Sequence, residues 1–583
     1  MCGIAGIIGR SPQSLDTRAM LEKMRDAIPH RGPDGHGFHV GQHQGFLNVR
    51  LAIVDREGGS QPIYSQDGTK GIVFNGEIYN FRQLRQELEQ EGVLFTTHSD
   101  TEVILRLFER EGIQCLTKLN GMFSVCLWDD AAKEVFIARD QLGIKPLYVY
   151  EDASLLAFAS ELKAITALPG LDLAWDSRGI QDYLTFRYMQ APFTFFTRVR
   201  RLDAGTYLHV RDGYATQRRF FELSFAPQPM ESFDAEEAER RGAELLRDAV
   251  RYQLMGEVPV GVLLSGGLDS SAIASCVAEL GANLTTFNIG FPDVNEFEFS
   301  RAVASHYGLK HVEIEVTVPE LLSKFDDIIQ AIDEPMADPA CFPLYWLCKT
   351  IREHVTVVLS GEGGDELLGG YPQYTRALYE GMGPERRFET FLDRSYYFRD
   401  SSTYLANPRE VPPLHLRNRK YFEEEGPLNS MLSFDIKTWL ADNLMMKADK
   451  IAMAHSLEGR FPFLDLDFLR FCAGLPEEAK LRSDGTSKWL LRRLMHKRLP
   501  PQILERKKMG FSVPLADFVT EARDRVLSCL NDTSLESLWQ HLDRDKVSKL
   551  IEGYYSGRHA DTLRTWTVIV MLLWARKNCR GVV

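Results

Sequence analysis

Apolar residues follow two different rhythms along this chain, and the change between them divides it. Up to about residue 200, short runs such as Gly71-Ile72-Val73-Phe74, Phe123-Ser124-Val125-Cys126-Leu127-Trp128 and Val135-Phe136-Ile137-Ala138 stand between turns and predict strands. Between them, residues 81–91 and 101–111 carry apolar positions at helical spacing. Strands and helices without a repeating βαβ order predict a layered α+β domain with helices packed outside sheets. From about 202 to 230 the pattern breaks into strand-and-turn fragments and then Phe225-Ala226-Pro227-Gln228-Pro229, a seam. A charged helical pattern opens at Ala235. Beyond it the order becomes strand, Gly-rich turn, helix, strand: Val260-Gly261-Val262-Leu263-Leu264, then Ser265-Gly266-Gly267, then a helix from Asp269. Further strands are expected at 285–289, 311–316 and 356–359, and this alternation predicts an α/β domain with a parallel, doubly wound sheet. Residues 375–583 read as a mostly helical extension. The expected domains are therefore 1–215 and 216–583.

Two places concentrate chemistry. Cys2 directly follows Met1, and removal of the methionine would leave a thiol beside a free α-amine, a nucleophile with its own base. At mid-chain, Ser265-Gly266-Gly267-Leu268-Asp269-Ser270-Ser271 follows an apolar strand and opens a helix. Glycines let backbone approach a phosphate there, the helix start offers unpaired N–H groups, and the serines add hydroxyls. The lysine of a Walker loop is missing. A second glycine-rich turn, Ser360-Gly361-Glu362-Gly363-Gly364-Asp365-Glu366-Leu367-Leu368-Gly369-Gly370-Tyr371, suits the carboxyl end of a neighbouring strand. Asp269 and Asp365 would together hold Mg²⁺ through hard oxygen ligands, and Glu362 would act as a general base or orient an amine.

Composition narrows the class. At 583 residues the chain needs more than one core, and its composition is that of a globular protein. Net charge of −13 gives no global pull toward nucleic acid or anionic lipid, so an anionic ligand must be held by local positive features. Val568-Ile569-Val570-Met571-Leu572-Leu573-Trp574 is far short of the ~20 apolar residues of a membrane span and predicts a buried helix. No leader is expected ahead of Cys2, and nine scattered cysteines without a CxxC pair suit a reducing cytoplasm. The expectation is a cytoplasmic enzyme without nucleic-acid or membrane partners.

With Cys2 at the front and SGGLDSS at mid-chain, the sequence resembles the glutamine-hydrolysing asparagine synthetases over nearly its whole length. The N-terminal half carries Arg31-Gly32-Pro33-Asp34, Arg50-Leu51-Ala52-Ile53-Val54-Asp55, Phe74-Asn75-Gly76-Glu77-Ile78-Tyr79-Asn80, Ser99-Asp100-Thr101-Glu102 and Arg139-Asp140-Gln141-Leu142-Gly143-Ile144-Lys145-Pro146. The C-terminal half adds Lys447-Ala448-Asp449-Lys450, His455-Ser456-Leu457-Glu458, Pro462-Phe463-Leu464-Asp465 and Gly510-Phe511-Ser512-Val513-Pro514. The resemblance implies an N-terminal-nucleophile (Ntn) glutaminase of four αββα layers, followed by an ATP pyrophosphatase domain. Cys2 would attack glutamine, with the Asn75 side-chain amide and the Gly76 N–H as oxyanion hole. Arg50 would bind the substrate carboxylate, Glu77 and Asp100 its α-ammonium, and Leu51, Ile53 and Val54 would complete the glutamine site. ATP would sit on Leu264, Ser265, Gly266, Gly267, Asp269, Ser270, Ser271, Ile289, Ser360 and Gly361, with Lys488 neutralising charge on its phosphates. Ammonia would pass through an apolar tunnel to an adenylylated carboxylate, aspartate being the default acceptor. A homodimer is left open.

The match loosens in the second half. Where the family usually has a bulkier residue, an aromatic and two valines, this chain has Gly364, Leu368, Gly459 and Phe461. These changes leave a related amidotransferase for another carboxylate, on a sugar or a secondary metabolite, as the alternative. A non-catalytic sensor is disfavoured because Cys2, Asn75, Asp269, Glu362 and Lys488 are all present, and SGGLDSS excludes a phosphoribosyl-transfer half.

Overall fold

Side chains alternate along the N-terminal strands, and the alternation builds two sheets that share one interior. The computed structural model describes residues 2–10, 16–380, 387, 389–392, 400–408, 426–506 and 513–578. The motif residues Gly510, Phe511 and Ser512 lie outside the described residues. The first twelve strands are β1 (Gly3–Gly9), β2 (Gly35–Val40), β3 (Gln44–Arg50), β4 (Ile63–Tyr64), β5 (Lys70–Ile78), β6 (Gly121–Asp129), β7 (Glu134–Arg139), β8 (Tyr148–Glu151), β9 (Leu155–Ala159), β10 (Val199–Arg201), β11 (Thr206–Arg211) and β12 (Tyr214–Arg219). They form two antiparallel sheets of six strands, ordered β10-β8-β9-β1-β3-β2 and β12-β11-β7-β6-β5-β4.

On β1, Ile4 and Ile8 face the other sheet while Ala5 and Ile7 face outward, as the two-residue period of a strand requires. Val73, Trp128, Ile137, Val149 and Phe158 fill the same inter-sheet layer. Helix Thr17–Ala27 covers one outer face through Leu21 and Met24. Helices Phe81–Gln90 and Asp100–Glu111 cover the other through Leu84, Leu88, Val103 and Leu107. The layers are helix, sheet, sheet, helix.

The second domain is wound on a parallel sheet of β13 (Val260–Leu263), β14 (Thr285–Gly290), β15 (Lys310–Glu315), β16 (Val357–Leu359) and β17 (Glu458–Arg460), in the order β15-β14-β13-β16-β17. All four ladders are parallel. The order reverses between β13 and β16, and both glycine-rich turns leave the carboxyl ends of these two strands, where such sheets open a crevice. Strand β17 lies in a stretch that reads as helical, since three residues are too few for a periodic signal and pairing with β16 supplies the rest.

Helices Ala235–Gln253 and Leu268–Glu279 pack on one face of this sheet, and Cys341–Ile351 on the other. The terminal helix Thr562–Asn578 carries Val568 to Trp574, all buried as expected. Among the described residues no helix is long and apolar enough to cross a membrane, and all eight cysteines are free thiols.

Candidate active sites

Cys2 lies just ahead of the β1 ladder, whose first register pair is Gly3 with Val49. Its backbone N–H donates to Asn75 Oδ1 at 3.1 Å, and its thiol faces the Leu51 carbonyl at 4.0 Å. Burial pushes the thiol up from its ordinary range, against the N-terminal charge, the contacts to Leu51 and Asn48 and, least, the Arg50 charge. Beside it is a narrow cleft of about 30 Å³ lined by Cys2, Arg50, Leu51, Ile53, Val54, Gly59, Gln61, Phe74, Gly76, Glu77, Ser99, Asp100 and Thr101. The sequence-predicted glutamine residues therefore line one cleft, with one exception.

Asn75 does not line the cleft. It shares strand parity with Val73, so its side chain points between the sheets, where Nδ2 donates to Ser124 Oγ at 3.3 Å and Ser160 Oγ at 3.4 Å. Neighbouring Gly76 is a sterically required glycine, since a Cβ there would stand 2.0 Å from the Met122 carbonyl oxygen.

Ser99 caps helix Asp100–Glu111 by accepting from the Glu102 N–H, which puts Asp100 in the first turn at the cleft. The Asp100 carboxylate accepts the Ile78 N–H at 3.0 Å, and burial raises its pKa to about 6. Arg50 turns its guanidinium to the carbonyls of Arg56 at 3.0 Å and Asp55 at 2.6 Å, so it also shapes the loop that forms the cleft rim. Glu77 is buried against Arg460 of the other domain at 3.5 Å. Burial raises it well above the carboxylate range, Glu458 adds to this, and Arg460 opposes it.

The second cavity, about 280 Å³, opens at the sheet's switch point. Leu264, Ser265, Gly267, Asp269, Ser270, Ile289, Ser360, Gly361, Glu362, Asp365 and Lys488 line it. Gly266 and Ser271 do not: Gly266 turns with φ +72° against Phe299, and Ser271 is buried in the first turn of helix Leu268–Glu279. Both shape the turn instead of touching the cavity. Lys488 projects from a left-handed residue, φ 52°, and its ammonium joins Asp269 and Asp365, the latter at 2.5 Å. Two carboxylates from different turns thus converge on the Lys488 ammonium.

Sequence reasoning missed Asn288, Glu296, Ser487, Arg492 and Arg506 in this lining. Arg506 pairs with Glu296 and reaches the Ser265 carbonyl at 3.5 Å. It carries no motif, and only its position at the cavity marks it. Gly364, Leu368, Gly459 and Phe461 do not line the cavity. A Cβ on Gly364 would meet Asp269 Oδ1 at 2.7 Å, and one on Gly459 would meet the Phe461 ring at 3.1 Å. Phe461 therefore occupies volume that Gly459 vacates.

The two cavities share no lining residue. One apolar cluster holds residues of both, Leu51 and Ile53 of the cleft and Leu264 of the larger cavity, together with Met122, Leu142 and Ile144.

The family described as asparagine synthase matches residues 241–576, and that described as glutamine amidotransferase domain matches residues 1–221. The chain is 32% identical to asparagine synthetase (glutamine-hydrolyzing) 1 of Bacillus subtilis, over 99% of this chain and 97% of that one. It is 30% identical to asparagine synthetase (glutamine-hydrolyzing) 3 of the same organism, over 95% and 93%. It is also 30% identical to asparagine synthetase (glutamine-hydrolyzing) 2 of Arabidopsis thaliana, over 95% and 86%. With one cavity beside Cys2, another at the Ser265 turn and matches spanning both halves, this chain belongs to the asparagine synthase family and carries a glutamine amidotransferase domain ahead of its synthase domain.

Proposed function

We propose that the protein makes asparagine from aspartate, ATP and glutamine, releasing glutamate, AMP and pyrophosphate. The observation that carries this reading is the pairing, in one chain, of a Cys2 cleft with a cavity where Asp269, Asp365 and Lys488 meet. Once Met1 is removed, the Cys2 amine accepts the thiol proton, and the sulfur attacks the glutamine amide carbon. Ammonia leaves, and water cleaves the thioester. Gly76 lines the cleft beside Cys2 and its N–H would be the backbone donor to the oxyanion, while Asn75 in this geometry accepts from the Cys2 nitrogen that would serve as base. Arg50 and Asp100 bind the two charged ends of glutamine.

In the second cavity the aspartate side-chain carboxylate attacks the α-phosphorus of ATP, and pyrophosphate departs toward the start of helix Leu268–Glu279. Lys488 offsets the negative charge that gathers on the phosphates. Asp269 and Asp365 would hold Mg²⁺, which when bound adds further neutralisation of the pyrophosphate. Ammonia then attacks the acyl carbon and AMP leaves, with Glu362 orienting the amine or taking its proton. Ammonia would travel between the sites along the apolar cluster that includes residues of both.

The deciding experiment supplies glutamine and ATP with a panel of carboxylates and measures AMP. Aspartate should give the highest rate. AMP release with another carboxylate and none with aspartate would replace the acceptor while keeping the chemistry.

A further inference from the structure

Arg31 ends the short helical turn Pro29–Arg31 and is completely buried. Its Nε donates to the Cys2 carbonyl at 3.1 Å. Its Nη1 donates to Glu161 at 2.8 Å and to Asp449 at 2.7 Å. Glu161 belongs to the same domain as Cys2. Asp449 does not: it projects from helix Met445–Met453 of the synthase domain and is 1% exposed. Lys145 approaches Asp449 at 3.4 Å, Lys163 pairs with Glu161 at 2.8 Å, and His30 Nε2 lies 3.0 Å from the same carboxylate. Burial works against the Arg31 charge, and Asp449 and Glu161 outweigh it.

A guanidinium is a rigid planar fork, so the direction in which Nη1 is held decides where Nε points. Cys2 precedes the first ladder pair of β1, and side chains hold both of its backbone polar groups: Asn75 accepts from the N–H and Arg31 donates to the carbonyl. One of those two holds thus takes its direction from the opposite domain.

We propose that Asp449 is a positioning residue for the glutamine reaction, acting across the domain boundary through Arg31 on the Cys2 carbonyl. This rests on the reading of Cys2 as the glutaminase nucleophile. It makes the alignment of the sulfur a property of the docked domains, so nitrogen is released efficiently only where the domain that consumes it is in place.

The test uses the full chain and follows AMP formation with glutamine and, separately, with ammonium salt, together with the rate at which iodoacetamide alkylates Cys2. Asp449→Asn should lower the glutamine-dependent kcat by about 10-fold or more, with KM for glutamine within about 2-fold. Its ammonia-dependent rate should stay within about 2-fold of wild type, and Cys2 alkylation should change. Asp449→Glu, which keeps the charge, should recover most of the loss. Arg31→Lys should lose a similar amount, and combining it with Asp449→Asn should cost little more, because both break one link. The proposal is overturned if Asp449→Asn keeps its glutamine kcat, or if both activities fall together in the Asn and Glu variants alike. Should wild type fail to form AMP from glutamine while using ammonium, the nucleophile reading itself is wrong, a separate outcome.

Discussion

The two cavities solve opposite problems with different architecture. The Cys2 cleft is small, sits where two antiparallel sheets meet, and depends on main-chain contacts and strand parity. The larger cavity opens at the ends of parallel strands and gathers charged side chains from separate turns. A covalent step on a small neutral amide needs one sulfur held in one direction, so a few contacts suffice. Handling a polyphosphate needs positive and metal-binding groups spread over a wider surface. The first site is therefore sensitive to sub-ångström alignment and the second to charge.

The largest effect should separate the sites outright. Cys2→Ala should reduce glutamine-dependent AMP formation by about 1,000-fold or more, while ammonia-dependent formation stays within about 2-fold. Loss of both would mean that the halves are not separable in this way. Lys488→Ala should lower both activities by about 100-fold, since either nitrogen source needs the same activated carboxylate. A fall confined to glutamine would break the comparison from the other side.

A smaller effect is pH-dependent and belongs to the cleft alone. Burial lifts Asp100 from 3.8 to about 6. Because the folded value is the higher one, its contribution to stability is present below pH 3.8 and is lost as pH rises through about 6. Binding the substrate α-ammonium needs the ionised form. The KM for glutamine should therefore climb as pH falls below about 6, by about tenfold per unit, and a glutamine KM that stays flat from pH 7 to 5 would contradict the assignment. The ammonia reaction, corrected for free NH₃, should not have this limb.

The smallest change concerns packing. Phe461→Val alone should destabilise the chain by about 1–3 kcal/mol. Adding Gly459→Val should restore part of this, because the two positions share one volume. Thermal unfolding of the single and double variants measures it.

Much of the site was legible in order along the chain. The Ser265 and Ser360 turns both follow apolar strands, and residues of both reach one cavity. Arg50 and Asp100, fifty residues apart, line the same cleft. Asn75 illustrates the limit: its motif marks it as important, but only strand parity places its carboxamide on the Cys2 nitrogen and outside the cleft. Glu77 and Arg460 lie in different domains, and no local pattern relates them.

Most helices and strands, though not β17, and the candidate reactive groups could be read from the chain alone, because these follow from periodicity, turn residues and side chains close together in sequence. Only the tertiary structure decided which groups face each other: Lys488 between two aspartates, Arg31 between Cys2 and Asp449, Phe461 over Gly459. Such pairings depend on strand register and domain docking, which arise from contacts hundreds of residues apart and leave no trace in any local stretch.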